Sequence, residues 1–67
     1  MHWDDILDYA DRLGLEFKYS QDNDLMEIFR GNNKYTLEKK QNTWVLRDFK
    51  QNSQFSPNPY QLLQITV

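Results

Sequence analysis

An alternation of apolar and polar side chains runs from Leu15 to Phe49 and is interrupted by three turn signals. These signals are QDND, GNN and the pair Gln41-Asn42, and all three are rich in residues that favour hairpin connections. A side-chain period of two is typical of β-strands that bury one face. The sequence therefore predicts four antiparallel strands over residues 15–20, 25–30, 34–40 and 43–49, each joined to the next by a hairpin.

The registers of the three hairpins agree with one another. A loop at 41–42 pairs Leu37 with Leu46, and a loop at 31–32 pairs the same Leu37 with Met26. A loop at 21–24 then pairs Met26 with Tyr19. A shift of one residue would turn every side chain of a strand to the other face. The agreement thus predicts one apolar face, made of Leu15, Phe17, Tyr19, Met26, Ile28, Tyr35, Leu37, Trp44 and Leu46.

A helix is predicted over residues 3–13, before the first strand. Apolar residues recur there at helical spacing, and Gly14 follows at the place of a left-handed C-terminal cap. We expect this helix to cover the apolar face of the sheet. The predicted fold is α+β: an N-terminal helix packed on a four-stranded antiparallel meander, followed by a C-terminal docking segment.

The C-terminal part is predicted as a loop over residues 50–58 and a docking segment over residues 59–67. Asn58 followed by Pro59 is typical of a helix N-terminus and favours a short helix. The β-branched residues Ile65, Thr66 and Val67 leave a fifth strand as the alternative. Either element is too apolar to stay free, and the second face of the sheet is one place where it can dock.

Composition limits the chemistry of the chain. Its 67 residues contain no cysteine and a single histidine, which argues against disulfides and against an ordinary zinc site. Acidic residues stand where a signal peptide needs basic ones, and no apolar run reaches membrane-spanning length. We expect one cytoplasmic domain without enzymatic activity, metal, cofactor or membrane attachment.

Charge is divided unevenly along the chain. Residues 1–29 hold eight acidic and two basic side chains, whereas residues 30–67 hold two acidic and six basic ones. Within the predicted helix, Asp4, Asp8 and Asp11 form an acidic stripe beside the apolar one. A polar stripe is common on any amphipathic surface helix, but this one has only Arg12 as a local counter-charge. It is one candidate site for a partner protein.

The outer face of the predicted sheet is the other candidate. The register places Phe29, Lys34 and Phe49 in one row across three strands, with Arg47 in the next. Outward aromatic rings beside cations are typical of sheets that stack single-stranded nucleic acid, and Lys40 would extend such a site. The C-terminal segment or a second copy of the chain is an alternative cover for this face.

The leading functional hypothesis is a non-enzymatic protein-binding module. Small cysteine-free chains with an acidic helix are common among phage or mobile-element inhibitors, including anti-defence proteins such as anti-CRISPRs. By this analogy the chain is expected to bind a larger, basic, nucleic-acid-handling protein, with the acidic stripe steering association and the outer face making contact. Single-stranded nucleic-acid binding and a structural homodimer are the alternatives.

Overall fold

The computed structural model describes residues 2–67 as two helices and one five-stranded sheet. The elements in chain order are α1 (Trp3–Arg12), β1 (Glu16–Ser20), β2 (Leu25–Arg30), β3 (Asn33–Lys40), β4 (Thr43–Arg47), β5 (Ser53–Ser56) and α2 (Pro59–Ile65). All neighbouring strands are antiparallel, in the order β1-β2-β3-β4-β5. The α+β class and the meander are confirmed, and the sheet gains a fifth strand.

Helix α1 ends as its sequence predicts. Gly14 adopts a φ of 76°, and its N–H donates to the carbonyl of Asp11 at 3.0 Å. The N–H of Leu15 donates to the carbonyl of Ala10 at 3.1 Å. These two hydrogen bonds satisfy two of the free carbonyls at the helix end. Their geometry requires the left-handed conformation that Gly14 adopts. Strand β1 begins two residues after Gly14.

The inner face of the sheet is the face that was predicted from the register. Leu37 lies opposite both Leu46 and Met26, and Met26 lies opposite Tyr19. The buried core joins this face to α1 and α2, and it comprises Ile6, Ala10, Leu15, Met26, Ile28, Leu37, Trp44, Leu46, Leu62 and Leu63. Trp3, Leu7, Tyr9, Leu13, Phe17 and Tyr35 pack around it. Apolar burial on one side of the sheet therefore supplies the cohesion that disulfides supply in other small domains.

Helix α2 confirms the helical interpretation of the C-terminal segment. The Asn58 side chain accepts a hydrogen bond from the N–H of Tyr60 at 3.0 Å, and Pro59 occupies the first turn. The Tyr9 and Tyr60 rings meet at a centroid distance of 4.7 Å, which joins α2 to α1. Ile65 is the last residue of the helix, so the alternative of a fifth strand at 65–67 is wrong. The expectation of docking is confirmed, but α2 docks on the inner face.

The segment from Asp48 to Ser56 differs from prediction. Strand β4 ends at Arg47, and the next residues form a tight turn in which the Gln51 N–H donates to the Asp48 carbonyl at 2.9 Å. The Asp48 carboxylate accepts the N–H groups of Lys50 and Asn52, both at 2.9 Å. Strand β5 follows within the predicted loop 50–58. The Asp48 carboxylate thus stabilises a turn that ends β4 two residues before its predicted end. The chain then reverses direction and forms β5.

No helix within residues 2–67 is long and apolar enough to cross a membrane.

Candidate functional site

The two predicted partner surfaces lie on opposite sides of the sheet. Ile6 and Ala10 bury the apolar stripe of α1 against the inner face, so the acidic stripe points away from the sheet. The outer face carries the side chains of the opposite parity, including Phe29, Lys34 and Arg47. The molecule extends 29 × 25 × 23 Å along its principal axes. A flat partner surface can therefore contact one of the two candidates but not both.

The acidic stripe is exposed along its whole length. Asp4, Asp8 and Asp11 all belong to the exposed class, and Asp8 forms an ion pair with Arg12 at 3.1 Å. Within residues 2–67, no cation lies at ion-pair distance from Asp4 or Asp11. The Arg12 guanidinium offsets the charge of Asp8, whereas Asp4 and Asp11 keep their charges in solvent. The stripe keeps most of its negative potential.

The hairpin between β1 and β2 adds the charge of Asp24 to that of Asp4 near Tyr19. Burial raises the pKa of the Tyr19 hydroxyl above its ordinary value of 10.0, and the charges of Asp24 and Asp4 raise it further. Both carboxylates therefore act on one phenol, although 20 positions separate them in the chain. Their potentials add at the end of α1 where the helix begins. We call Asp4, Asp8, Asp11 and Asp24, together with Trp3 and Tyr19, the acidic side.

Two partly buried aromatic rings adjoin these carboxylates. Trp3 contacts Tyr19 at a centroid distance of 5.0 Å and meets the buried Trp44 edge-on at 5.0 Å. The Lys39 ammonium lies over the Trp44 ring at 5.9 Å, at the far end of this aromatic row. Trp3 and Tyr19 keep part of their surface in solvent. Their π faces and the neighbouring carboxylates together favour a cationic group.

The outer face has a different electrostatic character, because its charges are paired across strands. Lys34 forms an ion pair with Glu27. Glu38 forms ion pairs with Arg47 at 3.4 Å and with Lys40 at 3.8 Å. Each of the cations proposed for phosphate contacts therefore lies beside a carboxylate of the same face, which weakens its attraction for a phosphate. Such a face has little net potential for a polyanion.

The predicted row of Phe29, Lys34 and Phe49 is formed only in part: Phe29 lies opposite Lys34, but Phe49 lies beyond the end of β4. Phe49 belongs to the turn after β4, where its side chain is 54% exposed and Lys50 lies over its ring at 5.7 Å. With Lys34 and Arg47 it lines an open depression of about 670 Å³. Phe29 is partly buried and lines a separate depression of about 370 Å³ beside Gly14 and Gly31. The two rings do not build a common stacking platform.

The alternative in which the C-terminal segment covers the outer face is wrong. Both helices lie on the inner face, and Leu62 and Leu63 contribute to the single buried cluster there. Val45 is nonetheless fully buried on the outer face, between its cross-strand neighbours Glu38 and Phe55. Phe55 itself is 66% exposed. The outer face is therefore open to solvent at β5.

Two features escaped the sequence prediction. The convergence of Asp24 with Asp4 depends on how α1 crosses the first hairpin, and no local pattern encodes that. Phe55 lies within the predicted loop 50–58, and the sequence signal for its role as an exposed contact residue is that no charged side chain follows Lys50. Within residues 2–67, no three His, Asp or Glu side chains are grouped closely enough to hold a metal ion.

Comparison with family models, with curated proteins and with solved structures found no match to this chain.

Proposed function

We propose that this chain is a non-enzymatic protein-binding module that docks its acidic side onto a basic surface of a larger protein. The observation that carries the proposal is the exposed stripe of Asp4, Asp8 and Asp11, of which only Asp8 has an ion-pair partner among residues 2–67. The charge of Asp24 adds to it, since it acts on the same Tyr19 hydroxyl as the charge of Asp4. Unpaired carboxylates from two segments create a negative potential over one surface. Such a potential steers a basic partner and raises the association rate more than the affinity.

The aromatic rings supply the contact that steering alone lacks. Trp3 packs against the core, and the Tyr19 ring lies against Trp3, so packing restricts the positions of both rings. Tryptophan and tyrosine are enriched among residues that dominate binding energy, because they bury a large area at a small entropic cost. An arginine of the partner can stack on these rings and reach the carboxylates at the same time.

A basic surface that accepts a row of carboxylates also accepts a row of phosphates. We therefore infer that the partner is a nucleic-acid-handling protein, and that the module acts as an inhibitor by occupying its nucleic-acid site. This inference supports the phage or mobile-element, anti-defence class of the sequence hypothesis as the biological setting. Steering of a partner to the outer face is a weaker proposal, since the screening length at physiological salt is about 8 Å and the molecule measures at least 23 Å across.

The test compares capture by matched variants. The tagged wild-type protein, the variant Asp4→Asn/Asp8→Asn/Asp11→Asn and a control variant are each incubated with the same lysate, and bound proteins are quantified by mass spectrometry. The proposal predicts one or more basic proteins that the wild type retains, that the aspartate variant loses, and that nucleic acid displaces.

The control variant is Glu16→Gln/Glu27→Gln/Glu38→Gln, which changes the net charge by the same amount on the outer face. The breaking of exposed ion pairs there costs less than about 1 kcal/mol per pair, and circular dichroism checks the fold of every variant. Equal loss of the captured proteins from both variants would mean that net charge, and not the acidic side, determines binding. Loss from the control variant alone would assign binding to the outer face.

A further inference from the structure

The sheet has two open edges with different protection. Strand β1 carries Glu16 and Lys18 on its outer side, and charges of this kind prevent a sheet edge from pairing with another strand. Strand β5 reads Ser53-Gln54-Phe55-Ser56 and has no charge. Its protection against pairing consists of its shortness and of Pro57, which directly follows it. The β5 edge is the less protected one.

The whole C-terminal part of the chain shares this lack of charge. No Asp, Glu, Lys, Arg or His occurs from Gln51 to Val67, although 18 Asp, Glu, Lys or Arg side chains and one His precede Gln51. Three large apolar residues of this part are nevertheless exposed: Phe55 at 66%, Val67 at 57% and Ile65 at 46%. Phe55 is the one of these three that lies on β5 itself, and an exposed aromatic ring on an uncharged edge strand favours contact with another chain.

The backbone of β5 offers free hydrogen-bonding groups at defined positions. The Asp48 N–H donates to the Asn52 carbonyl at 3.1 Å, which makes these two residues a hydrogen-bonded pair. Antiparallel pairs alternate between hydrogen-bonded and non-hydrogen-bonded, and the register continues through Arg47–Ser53 to Leu46–Gln54. It follows that Gln54 and Ser56 bond to β4. The N–H and C=O groups of Ser53 and Phe55 point to the open edge.

We propose that β5 pairs antiparallel with β5 of a second copy of this chain, which joins two sheets into one across a two-fold axis. In this arrangement Ser53 bonds to Phe55 of the second copy, and Phe55 bonds to Ser53 of the second copy. The axis passes beside Gln54, whose own N–H and C=O face β4. Each hydrogen-bonded pair exchanges two N–H···O bonds.

The side chains of β5 are self-complementary in this register. Ser53 and Phe55 both lie on the outer face, so the large ring of one copy stands opposite the small serine of the other. The two Phe55 rings become diagonal neighbours, within reach of each other. Because β5 is uncharged, the two-fold axis brings no like charges together. These properties favour a second copy over a foreign strand as the occupant.

This dimer leaves the acidic side free. Tyr19 belongs to β1, at the opposite edge of the sheet from β5. The inference is therefore independent of the proposed function, and Asp4→Asn/Asp8→Asn/Asp11→Asn is expected to leave dimerisation unchanged. A four-residue strand buries a small area, so we expect a weak dimer with a dissociation constant of about 10 µM to 1 mM.

The experiment is sedimentation equilibrium on chemically synthesised chains. The unmodified chain is expected to rise from its monomer mass of 8.2 kDa towards twice that mass as its concentration increases. N-methylation of the Phe55 backbone nitrogen removes a donor that the monomer does not use, so it should abolish the dimer without unfolding the chain. Phe55→Lys should weaken the dimer about tenfold or more, because two ammonium groups then face each other across the axis.

The matched control is N-methylation of Phe17. The two-residue loop 31–32 makes Arg30–Asn33 a hydrogen-bonded pair, and by the same alternation the Phe17 N–H points to the open β1 edge. This control should dimerise as the unmodified chain does. A chain that stays at 8.2 kDa at 1 mM, or a dimer that survives Phe55 N-methylation, would overturn the proposal. A monomeric chain that binds an added uncharged strand peptide would overturn it in favour of a foreign strand.

Discussion

Replacement of Leu63 by alanine tests how α2 is held. Leu63 is fully buried and belongs to the same core cluster as Ile6 and Ala10 of α1. Leucine-to-alanine changes in cores cost about 2–5 kcal/mol. Helix α2 has seven residues and lies at the end of the chain, so it can shift into part of the gap. We therefore expect a loss of about 3 kcal/mol, in the lower half of that range.

This loss is large for a chain of this size. Typical stabilities of 0.05–0.15 kcal/mol per residue give about 3–10 kcal/mol for the whole domain. With a urea dependence of about 1 kcal/mol per molar, the unfolding midpoint should fall by about 3 M. Urea titration followed by tryptophan fluorescence measures this directly, since Trp3 and Trp44 adjoin the core.

The control is Ile65→Ala in the same helix. Ile65 is 46% exposed, and alanine has the better helix propensity, so the two effects nearly cancel and the change should stay within about 0.5 kcal/mol. Equal destabilisation by the two variants would refute the reasoning. It would mean that α2 is not docked through Leu63, and that the inner face is not covered by two helices.

Three further predictions concern a turn, a phenol and the outer face. Gln51 has a φ of 65°, which costs a side chain about 1–2 kcal/mol, so Gln51→Gly should stabilise the fold by about 0.5–1 kcal/mol after the entropic cost of glycine. Gln54→Gly, in a strand without positive φ, should destabilise it instead, and thermal unfolding compares the two. Asp24→Asn should lower the pKa of Tyr19 because it removes a negative neighbour, whereas Asp11→Asn should not; ¹³C-tyrosine NMR against pH shows the difference. Fluorescence anisotropy at low salt should detect no binding of single-stranded oligonucleotides, because the cations of the outer face are paired; salt-sensitive binding would contradict that explanation.

Strand register was predictable because several hairpins constrain one another. Leu37 has to face the core in two pairings at once, and both pairings are present. The end of α1 was predictable for a local reason, since Gly14 tolerates the left-handed conformation that the cap requires. These elements depend on residues close in the chain and on the alternation of side chains between the two faces of a strand. Both can be read directly from the sequence.

Strand β5 was not predictable by the same means. The turn before it places Gln51, and not glycine, in the left-handed position, so its usual marker is missing. The strand itself has one large apolar residue among polar ones and shows no alternation. The turn is instead held by the Asp48 carboxylate, which accepts two backbone N–H groups. Hydrogen bonds from one side chain to the backbone do not change the alternation of apolar and polar residues, so the sequence pattern does not reveal this turn.

The candidate site was predictable only in part. The stripe of Asp4, Asp8 and Asp11 follows from helical geometry, and it is exposed as expected. The approach of Asp24 and the contact of Trp3 with Tyr19 depend on the packing of α1 across the first hairpin. The separation of the stripe from the outer face follows from the packing of α1 on the inner face, which the amphipathic pattern of the helix predicts.

Association kinetics measured against ionic strength test the proposed function most directly. The captured partner is mixed with the wild type and with Asp4→Asn/Asp8→Asn/Asp11→Asn in a stopped-flow instrument, at salt concentrations from low to physiological. Binding through the acidic side predicts a wild-type rate that falls steeply with salt, and a variant rate that is slower and nearly independent of salt. Identical rates and identical salt dependence for the two proteins would contradict it.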